Sequence, residues 1–98
     1  MPCEVSRQAR RDVATIAGRI ARERGTQSAD QAIETMTRSF ELLGRHPMAG
    51  RDRSGDLGRD RRSLVSGHYI IVYRPLDLDV LIQRVIDGRR DYPAVVGS

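Results

Sequence analysis

Five consecutive apolar residues, Tyr69-Ile70-Ile71-Val72-Tyr73, form the longest unbroken apolar run in the 98-residue chain. Their β-branched and aromatic side chains are those of a strand. Alternation places Tyr69, Ile71 and Tyr73 on one face and Ile70 and Val72 on the other, so both faces are apolar and both need cover. A run this short falls far below the length of a membrane span.

The chain before this strand is helical in pattern. Ala9, Val13, Ile16, Ala17, Ile20 and Ala21 recur at helical spacing behind Ser6, a good N-cap, and Gly25 stops the stripe. Ser28 followed by Gln31 reads as a capping box for a second helix, with Ala32, Ile33, Met36, Phe40 and Leu43 as its apolar face. Gly44 and Pro47 end it. About three residues then separate the helices, which implies an antiparallel helical hairpin. Residues 44–60 form a polar loop rich in Gly, Arg and Asp. Arg61 to Val65 is a second candidate strand, with Ser66-Gly67 as its turn. Val80 to Ile86 is a third, after the turn Pro75-Leu76-Asp77-Leu78-Asp79. Glu4 and Val5 suggest a short opening strand. The expected fold is α+β, order β-α-α-β-β-β, with the hairpin packed on one face of a small antiparallel sheet. One domain spanning 1–98 is expected from the length. A single helical layer covers one face only, so the other is closed by residues 44–60, by the tail or by a partner.

Composition removes several chemistries. All 17 basic residues are Arg, so there is no Schiff-base or P-loop lysine. One Cys and two His cannot build a closed Cys/His zinc site or an internal disulfide, and neither cofactor nor metal is expected. The formal charge is +4. Its excess lies in residues 1–24, with six Arg and three acids, and in residues 51–62, with five Arg and three Asp. Guanidinium binds phosphate and carboxylate alike, so a basic nucleic-acid-binding protein is one reading of this balance. The apparent start, Met1-Pro2-Cys3-Glu4-Val5, has no apolar signal region, and a cytoplasmic protein is expected.

The stretch Ser66 to Arg74, S-G-H-Y-I-I-V-Y-R, followed by an acidic turn and by Val80 to Asp91, V-L-I-Q-R-V-I-D-G-R-R-D, closely resembles the C-terminal half of the RelE/ParE toxins of bacterial toxin–antitoxin systems. S-R-Q-A-R-R-D at Ser6 to Asp12 resembles the S-x-x-A-x-x-D opening of that family's first helix. H-P-M-A-G-R at His46 to Arg51 resembles its P-x-x-G segment. The resemblance runs from about Glu4 to Asp91. It implies a tight complex with a cognate antitoxin and one of two activities. ParE-like members bind DNA gyrase and trap it on cut DNA; RelE-like members cleave mRNA on the ribosome.

The nuclease branch implies basic residues on the meander and a tyrosine in the tail. Here the strand position of one basic residue holds Ile70, and the tail position falls near Val95 or Val96, with Tyr92 earlier in the chain. Arg61, Arg62 and Arg90 match basic positions, and His68 or Tyr92 are the candidates to move a proton. The incomplete set favours the ParE-like branch. On that reading the residues expected to contact a partner are Tyr69, Ile70, Val72 and Tyr73 on the strand and Arg61, Arg62, Arg89 and Arg90 beside it.

Overall fold

The computed structural model describes residues 3–88. The order is β1 (Cys3–Val5), α1 (Arg7–Arg24), α2 (Thr26–Arg45), β2 (Arg51–Asp52), β3 (Arg62–Ser66), β4 (Tyr69–Pro75) and β5 (Val80–Asp87). The five strands make one sheet, ordered β1-β5-β4-β3-β2. The α+β architecture and the helical hairpin are as expected. Two features differ. The sheet is mixed, because β1 joins β5 in parallel. The polar connection also contributes a strand, since Arg51 and Asp52 pair antiparallel with Ser63 and Arg62.

The Ser6 cap forms: its Oγ accepts from the Ala9 amide at 3.0 Å and donates to the Gln83 carbonyl at 3.0 Å. The Ser28–Gln31 box does not form. Gly25 alone joins the helices, at φ 96 and ψ 165, a conformation that strains any residue with a Cβ, and α2 begins at the next residue. Ile33, expected on the apolar face of α2, is 38% exposed, while Ala29, Met36, Phe40 and Leu43 face inward. The β3–β4 turn is Gly67-His68, one residue later than expected, with Gly67 at φ 61 between the paired Ser66 and Tyr69.

The main core lies between hairpin and sheet. Ile16, Met36, Phe40 and Leu43 pack there against Ile71, Tyr73, Val80, Ile82 and Val85. The opposite face of the sheet carries a second cluster of Leu57, Ile70, Val72 and Ile86. The uncovered face considered above is therefore closed in part by residues 44–60, through Leu57. The tail alternative lies outside the described residues. Leu57→Ala is expected to cost about 2–4 kcal/mol and to open this face. Urea unfolding and fluorescent-dye binding measure both effects.

Candidate functional site

Two family-like motifs have direct physical roles in building the platform. Tyr73 is fully buried on the helix side of β4. Its hydroxyl donates to the Pro47 carbonyl at 2.7 Å and accepts from the Gly50 amide at 2.8 Å. A Cβ on Gly50 would lie 2.6 Å from the Tyr73 ring and 2.7 Å from the Ser63 carbonyl oxygen, so no side chain fits there. The segment from Pro47 to Gly50 is thus a clamp around one buried phenol. In the first motif, Ala9 is fully buried and Asp12 reaches the edge of β5 that β1 leaves open. The Asp12 carboxylate accepts from the Val85 amide at 2.9 Å and pairs with the Arg84 guanidinium at 2.8 Å.

The clamp and the second cluster shape residues 51–61. Arg53 pairs with Asp56 and its guanidinium donates to Ser63 Oγ at 3.3 Å. Arg61, an expected contact or catalytic group, donates to the Leu57 carbonyl at 2.9 Å. Arg62 donates to the Gly50 carbonyl at 3.1 Å and to the Met48 carbonyl at 3.4 Å. Both arginines are partly buried, and both hold this connection in place. The Arg53 guanidinium holds the Asp56 carboxyl below its ordinary value, and hydrogen bonds from the Ser54 hydroxyl and amide do the same for Asp52. A carboxyl with a lowered pKa favours the ordered loop above its unfolded value and loses that contribution as pH falls. The Ser54 amide resonance, reporting its 2.9 Å bond to Asp52, is therefore expected to titrate with a midpoint below that of an ordinary aspartate carboxyl.

Arg62 and Arg74 also line an open groove of roughly 800 Å³ with Asp52, Asp60, Asp77, Asp79, Met48 and Leu78. Met48 is 67% and Leu78 88% exposed. Apolar side chains among charges of both signs suit a protein partner better than a run of phosphates.

The remaining candidates are scattered. His68 sits exposed in the β3–β4 turn, where its backbone carbonyl accepts from the Gly88 amide at 2.9 Å. Arg62 lies at the other end of β3, about 13 Å of strand away from Ser66. The histidine and the two arginines therefore do not converge on one point. Ile70, Val72 and Tyr73 are buried within the chain, whereas Tyr69 is half-buried. Arg89, Arg90 and Tyr92 lie outside the described residues. The Cys3 thiol is pushed up by its burial and by Glu41, which disfavours the thiolate. Among the described residues no group of three or more His, Cys, Asp or Glu is placed to hold a metal ion, and no helix is long and apolar enough to cross a membrane.

The family model for the ParE toxin of type II toxin–antitoxin systems, parDE, matches residues 3–92. The chain belongs to the ParE toxin family. The fold is similar to a solved chain of the chromosomal ParDE TA system from P. aeruginosa, with a TM-score of 0.76 at 18% sequence identity. That alignment covers 89% of this chain and 95% of the other. Comparison with curated proteins gives no significant match. In this ParE toxin the resemblance noted at Ser6–Asp12 and Pro47–Gly50 marks scaffold contacts: one motif docks α1 on the sheet and the other grips Tyr73.

Nothing in the sequence assigns a role to Arg84, Leu57, Met48 or Leu78, and Asp12 enters there only as the end of the Ser6–Asp12 motif. The Ser6, Ala9, Asp12 spacing was a usable signal, since steps of three keep polar groups near one helix edge. Nothing local marked Leu57, one apolar residue within a polar connection.

Proposed function

We propose that this ParE-family toxin inhibits DNA gyrase by binding it, without chemistry of its own, and that a cognate antitoxin neutralises it. The family match across residues 3–92 carries this reading. The geometry supports the binding mode over the nuclease alternative. Arg61 and Arg62 spend hydrogen bonds on backbone carbonyls, and His68 stands apart from them. A ribonuclease site needs its base, acid and phosphate-stabilising cations around one phosphate. Tyr69, Arg61 and Arg62 present partly exposed surface for contact, and Arg89 and Arg90 extend the proposal as charged contacts beyond the described residues. Ile70, Val72 and Tyr73 act by fixing the sheet. A cytoplasmic location follows from such a target, and no cofactor is required.

Induced expression in a bacterial host is expected to arrest growth with a DNA-damage response while bulk protein synthesis continues. Co-expression of the cognate antitoxin is expected to restore growth. Immediate loss of protein synthesis with cleaved mRNA would instead place the target at the ribosome.

A further inference from the structure

The outward face of α1 carries arginines without an ion-pair or hydrogen-bond partner among the described residues. At 100° per residue, Arg7, Arg11, Gly18 and Arg22 share one side, opposite the buried Ala9 and Ile16. Arg7, Arg11 and Arg22 are exposed. None of the three has an acidic partner among the described residues. They span about 22 Å along the helix. Of the two acids on α1, Asp12 is held by Arg84, while Glu23 lies about 100° around the helix from Arg22 and makes no ion pair with it; Arg19 pairs with Asp87 at 3.8 Å. The row therefore carries three positive charges and no ion pair among the described residues.

Gly18 supplies a second observation. It lies in the interior of an 18-residue helix, where glycine disfavours the helix relative to alanine. A Cβ there would meet only the Arg22 guanidinium, at an ordinary 3.5 Å. No packing among the described residues requires this glycine, in contrast to Gly50. A residue lacking a side chain between unpaired cations leaves room for another backbone to approach closely.

We propose that this face of α1 receives an acidic helical segment of the cognate antitoxin, laid across Gly18 with carboxylates reaching Arg7, Arg11 and Arg22. The proposal rests on the antitoxin reading above. Charge complementarity selects an anionic partner, and the close approach at Gly18 selects a helix over a phosphate backbone, which gains nothing from a missing methyl.

Calorimetric titration of the purified antitoxin into the folded, antitoxin-free toxin tests this, with thermal unfolding of each toxin variant alongside. Gly18→Ala is expected to raise the Tm of the free toxin, because the helix gains where the chain loses nothing. Gly18→Leu and the paired Arg7→Glu, Arg11→Glu variant are each expected to weaken antitoxin binding roughly tenfold or more while leaving the free toxin folded. The affinity of the wild type is expected to fall with added salt. Tight binding by the wild type and equally tight binding by both variants would overturn the α1 site while leaving neutralisation standing. No binding by the wild type would overturn both. Salt-sensitive binding of duplex DNA, lost in the arginine variant while antitoxin affinity is unchanged, would reassign the row to nucleic acid.

Discussion

Asp12→Ala is expected to destabilise this toxin by about 3 kcal/mol, a fall in Tm of roughly 10–20 °C for a domain of this size. The Asp12 side chain is 10% exposed and that of Arg84 24%, so the pair is largely removed from water. Deleting the carboxylate leaves the Arg84 guanidinium without its partner and strands the Val85 amide on an open sheet edge. Asp12→Asn keeps one acceptor oxygen for that amide but loses the charge and puts an NH2 donor where the other oxygen accepts from Arg84 and Gln8, so its cost is expected to fall below that of Asp12→Ala but not to vanish. Thermal denaturation of the two variants separates edge protection from charge pairing. Equal stability of Asp12→Ala and the wild type would remove this contact from the account of how α1 docks.

Gly50→Ala is the second large effect. The added methyl would overlap the Tyr73 ring and the Ser63 carbonyl, both in well-packed surroundings, so the clamp must open. Overpacking of this kind costs about 1–3 kcal/mol, and the lost hydrogen bonds to the Tyr73 hydroxyl add to it. Tyr73→Phe keeps the ring and removes both bonds, and is expected to cost about 1–3 kcal/mol. If the clamp acts as one unit, the double variant costs less than the two single costs combined, because the alanine has already broken what the phenylalanine removes. Strict additivity in a double-mutant cycle would show that Gly50 and Tyr73 act separately.

Much of this fold is legible in the sequence because its signals are local. The stripes of α1 and α2 are periodic, and the apolar run of β4 identifies itself. Structure and expectation part where a nearer signal wins or where the deciding contact is distant. Ser28 and Gln31 carry capping chemistry, yet Gly25 reverses the chain in a single residue and helix formation begins before they are reached. β2 exists only because Arg51 and Asp52 meet Ser63 and Arg62. β1 is parallel because the hairpin returns the chain to the far edge of the sheet. The candidate site is less legible than the fold. Arg61 and Arg62 resemble phosphate ligands in sequence, and their use as braces on the Leu57, Gly50 and Met48 carbonyls appears only with the loop folded. The exposed Met48 and Leu78 give no local sign that they share a groove.

On the proposed function this toxin acts on gyrase by binding. The most direct test incubates refolded, antitoxin-free protein with purified gyrase, ATP and relaxed plasmid, scoring supercoiling and cleaved DNA together. Supercoiling is expected to stop, linear DNA to accumulate after denaturation of the enzyme, and prior addition of the cognate antitoxin to prevent both. Uninhibited supercoiling at several-fold molar excess of a demonstrably folded toxin would contradict that function.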